Sequence, residues 1–319
     1  MAVLIGFFCG LTAGANHFVG RSDWAQIWHG ARALMDGVSP YMAVGPGRAF
    51  PWEFPLLYPL PAIMVGVPFA IAPIGLATGL FVGCSSALLA FLLTRHSWNR
   101  LVLVLCAPFP FAVMSAQWST LLTAAALVPW LGFLFVVKPT VGAALWLYRP
   151  SRAATIGGVL LLLVSIAVQP SWPREWMTAL SSTGHMVVPL VHAGGPILLL
   201  ALLRWRRPEA RLLLTLACVP QTAFFYEALP LILVPATLPE SVSLVALSYA
   251  ALTWWNRLRP FATVAAGSLA SVQISVPLLY LPCLIMILCR PNQGEMPACI
   301  ERFAKCVRAR QFPSEMPQQ

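Results

Sequence analysis

Leu56-Leu57-Tyr58-Pro59-Leu60-Pro61-Ala62-Ile63-Met64-Val65-Gly66-Val67-Pro68-Phe69-Ala70-Ile71-Ala72-Pro73-Ile74-Gly75, running on to Leu93 without one charged side chain, decides the fold class of this chain. A helix needs roughly 20 apolar residues to cross about 30 Å of hydrocarbon. The stretch holds two such helices with a tight turn near Ala72-Pro73-Ile74-Gly75. Further apolar runs follow at Leu101–Met114, Leu121–Val137, Ile156–Val168, Ile197–Leu203 and Leu278–Leu288. Backbone groups in lipid must be satisfied internally, so only helices or a closed barrel can span. These runs are too continuous for alternating barrel strands of about ten residues. Composition agrees: of 319 residues, 59% are apolar and only 9% charged, against about 25% charged in a soluble domain. The sequence therefore predicts an all-α polytopic membrane protein, a bundle of about ten to twelve transmembrane helices.

Organisation follows from the polar interruptions. The apolar Ala2–Ala15 lacks a basic leader and reads as a first transmembrane helix rather than a signal peptide. Residues 1–290 form one transmembrane domain and 291–319 a basic cytoplasmic tail with Arg302, Lys305, Arg308 and Arg310. The net charge of +10 sits in short clusters between apolar runs, chiefly Arg204, Arg206, Arg207 and Arg211, the pair Arg149 and Arg152, and the tail. That is positive-inside anchoring, not a nucleic-acid surface. With the N-terminus cytoplasmic, loops 19–55 and 169–192 share the external face of a plasma or inner membrane. The count leaves Arg95 and Arg100 outside, against the rule, and a short or re-entrant segment nearby is one remedy. From 118 to 148, Pro129, Gly132 and Lys138-Pro139 predict two half-helices rather than one span. Breaks are also expected at Pro220 to Tyr226 and near Gln273. The eight cysteines form no CxxC pair, and those within the apolar runs read as filler.

The first polar loop is the most informative. Apolar residues at 24, 27, 28, 31, 34 and 35 make a helical stripe, with Ser22 as N-cap, Asp23 in the first turn and Gly37 at the stop. Trp24 and Trp28 suit a helix lying at the interface with its aromatic face towards lipid. Asp23 reads either as a first-turn stabiliser or as a general base at the membrane–water boundary. His29 is lining at best. Ser39-Pro40-Tyr41 and Trp52 to Pro61 form a stiff aromatic return into the membrane, because proline restricts itself and its neighbour.

Asp23, then Ala33-Leu34-Met35-Asp36-Gly37-Val38-Ser39-Pro40-Tyr41, then Leu57-Tyr58-Pro59-Leu60, resembles the opening of the family 87 glycosyltransferases. These are GT-C fold membrane enzymes that include the mycobacterial polyprenol-phosphate-mannose-dependent mannosyltransferases. Ala116-Gln117 and Val137-Lys138-Pro139 follow in the family's order, where it has Gly-Gln and Lys-Pro. The chain departs from the pattern at Leu60 and Ala116, and the 21-residue interval from Gln117 to Lys138 is short for the family. The resemblance implies an inverting transfer of a hexose, mannose first among candidates, from a polyprenyl-phosphate sugar donor to a lipid or glycan hydroxyl acceptor. Asp23 would take the acceptor's proton. Lys138 and Arg32 would offset the leaving phosphate. Tyr41, Tyr58, Gln117, Trp172, Tyr226 and Glu227 would line the cavity.

Beside that stands the reading of the residues themselves. A charge in an apolar run is expensive, so Lys138 faces a cavity, snorkels or finds a partner, and Glu227 is the second buried charge. In a secondary transporter these two would be the coupling or substrate residues, on the broken helices of such proteins. A catalytically silent scaffold would keep the bundle without a converged Asp23–Lys138 cavity. Trp172 and Trp176 read as sugar-stacking or belt residues. His185 and His192, with Pro189 between them and no third ligand, make a poor metal site. The scheme requires no metal and no cofactor. Walker A, GxGxxG and HExxH motifs do not occur. The expected partners are the sugar donor, its acceptor and membrane lipids.

Overall fold

The computed structural model describes residues 1–294 except 17–19, 21, 183, 185, 193, 223 and 224. Among them the fold is almost wholly helical, and prolines punctuate it. The chain opens with α1 (Ala2–Gly14), α2 (Asp23–Met35) and the single turn α3 (Pro40–Ala43). The two-residue strands β1 (Val44–Gly45) and β2 (Phe50–Pro51) pair in parallel. Then come α4 (Leu60–Ala70) and the long α5 (Ile74–His96). A 3-10 helix at Trp98–Leu105 leads to α6 (Pro108–Met114) and α7 (Trp118–Ala125). Another 3-10 stretch, Pro129–Val137, precedes α8 (Pro139–Tyr148), α9 (Arg152–Val168) and α10 (Trp172–Ser181). The second half runs through Gly195–Arg204 (3-10), α11 (Pro208–Cys218), Phe225–Leu233 (3-10) and α12 (Leu238–Arg257). It ends with α13 (Val264–Ser275), a π turn at Val276–Tyr280 and α14 (Leu281–Leu288).

Proline fits the first turn of a helix, where its missing N–H has no partner to lose. It opens α3, α6, α8 and α11 in that way. The same residue prevents long continuous spans. Among the described residues two helices, Ile74–Arg95 and Val264–Leu288, are long and apolar enough to cross a membrane. A third is reached only if α9 and α10, bent by 99°, count as one broken span. Of the expected all-α bundle of ten to twelve crossings, the helical fold and two helices of spanning length stand; most other apolar runs are divided between short helices, 3-10 stretches and turns. The half-helix reading of 118–148 matches α7, Pro129–Val137 and α8.

α1 and α5 lie antiparallel along a seam of glycines, Gly6 against Gly83, Gly10 against Gly79 and Gly14 against Gly75. A Cβ on Gly10 would lie 2.6 Å from the Gly79 carbonyl oxygen. Only glycine on both sides allows the two backbones this approach, and close packing is what holds helices together where lipid is as apolar as the protein. Because α1 pairs in reverse with α5, the start of α1 lies at the end of α5.

α4 has 11 residues, about 16 Å of helix, and turns back at Ala72-Pro73 before α5 begins. A short segment of this kind is what the sequence reading named as one remedy for Arg95 and Arg100. Of α4 and α5, only α5 is long and apolar enough to cross a membrane, and it ends beside Arg95 and Arg100. There Arg100 donates to the Pro235 carbonyl (3.0 Å) and Arg290 to that of Val234 (2.8 Å). Arg204 donates to the Arg290 carbonyl (2.6 Å) and Arg211 to that of Leu147 (2.8 Å). Loops 22–58 and 169–182 meet at the opposite end. Ser39 donates to Glu175 (2.6 Å), Gln169 donates to both, and the Trp176 indole N–H reaches the Leu57 carbonyl (2.9 Å).

α2 has the expected limits. Gly37, at φ +74°, follows its end, and Val38 N–H bonds back to the Ala33 carbonyl, Gly37 N–H to that of Leu34. This is the Schellman closure that a left-handed glycine permits. Its setting differs from expectation. Trp24 is 1% exposed and stacks on Phe81 of α5, centroids 3.8 Å apart, with Trp118 beside it. Ile27 packs over Gly66 of α4. The aromatic stripe is core and does not face lipid.

Candidate functional site

Six residues singled out in the sequence meet in one chain of contacts. α2 begins at Asp23, whose backbone N–H donates to the Ser115 carbonyl (3.2 Å) and ties the helix start to the α6–α7 corner. Ala116 there has φ +49°, a left-handed turn that delivers Gln117 to the start of α7. The Gln117 amide N–H donates to Asp23 Oδ2, and Tyr58 Oη donates to the same oxygen at 3.0 Å. Gln117 Oε1 accepts from Lys138 Nζ at 3.3 Å. Lys138, at the break before α8, pairs with Glu227 Oε1 at 3.4 Å and lies 4.7 Å from the Tyr226 ring centroid. Glu227 Oε2 accepts from the Thr222 backbone N–H at 2.7 Å. One glutamine therefore joins a carboxylate on the first loop to an ion pair held between two broken segments.

Burial makes these contacts matter. Gln117, Tyr58, Tyr226 and Glu227 are buried, and the Lys138 and Glu227 side chains are 11% and 6% exposed. Asp23 is half-buried. In such surroundings charges interact far more strongly than in water, and an unpaired one is costly. Burial first, and then the Asp23 carboxylate, push the Tyr58 phenol well above its usual range, so it stays a donor. Two carboxylates against one ammonium leave the cluster one formal negative charge in excess. Among the described residues, Ser119 Oγ, Thr120 Oγ1 and Trp118 Nε1 of the first turn of α7 are buried without a partner.

Other predicted site residues fall elsewhere. Tyr41 supports Tyr58 from behind, donating to its carbonyl at 3.0 Å. Burial, then Glu175, raises the Tyr41 phenol. Arg32 does not join Lys138. It is exposed near the far end of α2, with a 3.5 Å contact to the Ala70 carbonyl and its guanidinium over Trp28. It stands about two and a half helical turns along α2 from Asp23, outside the chain of contacts. Trp172 is buried beside Trp176, with centroids 5.9 Å apart, and is not in the chain of contacts. His29 stacks on Phe50 at 3.8 Å, and burial lowers its pKa. His185 lies outside the described residues. Among those described, no group of three His, Cys, Asp or Glu side chains is placed to hold a metal ion.

Sequence reading missed the far end of the chain of contacts. Gln221 donates to Tyr280 Oη in the π turn and to the Leu216 carbonyl, and its backbone pairs with Val187. Thr222 Oγ1 lies 3.0 Å from Tyr226 Oη. Only the proline at 220 hinted at this corner. No protein-family model, curated protein or solved structure matches the chain.

Proposed function

We propose that this membrane protein is a secondary carrier whose coupling site is the Lys138–Glu227 pair, extended through Gln117 to Asp23. The observation that carries the reading is the pair's position. It is buried at the junction of two interrupted segments, Pro129–Val137 with α8 and Phe225–Leu233. Interrupted helices near a buried charge are how carriers bind small polar solutes. The ammonium is already engaged, so it becomes available only when Glu227 is neutralised. A proton added to Glu227 from one side would loosen the pair and free Lys138 for an anionic or polar solute. Loss of that proton to the other side would restore the pair and expel the solute.

The test is reconstitution into liposomes holding a pH-sensitive dye, with sugar phosphates, amino acids and small carboxylates added outside. Proton entry driven by one solute class, absent in Glu227→Gln, is the expected result. No solute-driven proton movement in the parent protein would end the carrier reading.

A second reading, glycosyl transfer, is favoured by one observation. Asp23 and Lys138 are joined through a single side chain, Gln117, close enough to serve one reacting centre. In that reading Asp23 takes the acceptor proton while Lys138 shifts from Glu227 to the phosphate of a polyprenyl-phosphate hexose. The same purified protein, incubated with such donors and membrane lipids, would form a glycosylated lipid, and Asp23→Asn would form none. Product from Asp23→Asn at the parent rate would remove Asp23 from that role.

A further inference from the structure

A second feature lies outside the chain of polar contacts. α8, α9 and the Pro129–Val137 segment enclose an apolar groove of about 560 Å³. This is within the roughly 300–1,000 Å³ typical of small-molecule sites. Gly132, Gly142 and Gly158 line it, and a Cβ on Gly142 would run into the Phe135 backbone, so these glycines let the helix and the 3-10 segment that form its floor pack closely. Val159 and Leu162 extend the wall along α9 towards Trp172. At the other end the groove reaches Leu147, whose carbonyl is held by Arg211, so this end belongs to the basic side of the molecule.

The turn that closes α8 onto α9 carries Arg149 and Arg152. Both are exposed, and neither guanidinium has a hydrogen-bond or ion-pair partner among the described residues. Thr155, Val159 and Leu162 of the groove wall lie three, seven and ten residues beyond Arg152, which puts them on its side of the helix. α9 starts here with Ser151 as its cap and has 17 residues, so its positive dipole end also faces the turn.

We propose that this groove holds one acyl chain of an anionic phospholipid from the basic-side leaflet, with its phosphate on Arg149, Arg152 and the start of α9. Charge complementarity selects the occupant. The floor takes only hydrocarbon, and the unpaired charges at its mouth are both positive. Basic clusters next to membrane helices recognise anionic headgroups on this ground. The inference rests on membrane embedding and is independent of the carrier reading.

The test is native mass spectrometry of the full-length protein in detergent, titrated with phosphatidylglycerol or phosphatidylcholine of identical chains. The parent should prefer phosphatidylglycerol by about 25-fold, roughly fivefold for each arginine. Arg149→Gln with Arg152→Gln should abolish the preference, whereas Arg257→Gln, also exposed, should keep it. Ala143→Phe, at an exposed position lining the groove, should weaken both lipids together. Three results would overturn the proposal: a preference that survives loss of both arginines, unchanged lipid binding in Ala143→Phe, or competition by chainless glycerol phosphate equal to that of the lipid.

Discussion

Two ion pairs in this molecule are built from the same charges and do different things. At the basic end, Arg290 reaches Glu240 at 2.6 Å, approaches Glu209 at 3.9 Å and donates to the Val234 carbonyl. Arg204 and Arg207 hold the backbone around it, at Arg290, Leu288 and Pro291. A planar guanidinium with five donors can serve several partners at once and stays charged, so the end of α14 is clamped. In the interior, Lys138 faces Glu227 at 3.4 Å with Gln117 as its other acceptor. An ammonium is a point charge on a flexible stem, with fewer fixed directions and an exchangeable proton. The fork fixes a helix end, whereas the point charge sits where backbone is broken.

The sharpest way to break that comparison is to remove one partner inside. Glu227→Ala should cost about 3–5 kcal/mol by leaving a buried charge uncompensated, read as a lower Tm in detergent. Lys138→Met with Glu227→Leu should recover most of that loss, since well-packed apolar replacements of a buried pair are often neutral. If the double variant is no more stable than the single one, the pair is structural and not a switch.

Removing the clamp should cost less. Arg290→Ala is expected to lose about 1.5–3 kcal/mol, the range for hydrogen bonds to charged groups. Arg290→Lys should recover only part of it, because the fork is gone. Equal stability of Arg290→Lys and the parent, by the same melting curves, would show that charge alone suffices there.

Solution conditions separate the two more gently. Glu240 is pushed up by its burial, but hydrogen bonds from Arg290 and the Ala236 and Thr237 amides lower it overall from 4.5. A depressed carboxylate stabilises the fold above its unfolded pKa and loses that contribution as pH falls through the folded value. Melting between pH 5 and pH 3 should therefore fall less steeply in Glu240→Gln than in the parent. The smallest effect concerns His29, whose lowered pKa favours the neutral ring. Stability should decline as pH drops below about 6.5 and level off beneath the folded value. His29→Phe should flatten that slope, and an unchanged slope would assign it to another group.

The legible parts of this molecule were those whose cost is local. Ser22, Asp23 and Gly37 mark α2 because caps and left-handed turns act within a few residues. Lys138 and Glu227 stood out because a charge in an apolar run must be accommodated somewhere. The number of spans was not legible, since hydropathy adds up equally over α-helix, 3-10 helix and turn, and only prolines separate them. Nor was the direction of the α2 stripe: Trp24 satisfies the same spacing whether it faces lipid or Phe81. The Gln221–Tyr280 and Ser39–Glu175 contacts join residues far apart in sequence, where no local pattern announces them. Nor did any local pattern show that Arg32 rests against Trp28 and the Ala70 carbonyl.

The glycine seam between α1 and α5 has a consequence for the order in which the molecule is made. α1 has 13 residues, too short to be anchored well alone, and its partner begins only at Ile74. Once the two helices zip together, α2 to α4 become a closed lobe, with Asp23 fixed at its inner edge. Lys138 is synthesised later and Glu227 later still. A chain halted between them would hold Lys138 without its Glu227 partner.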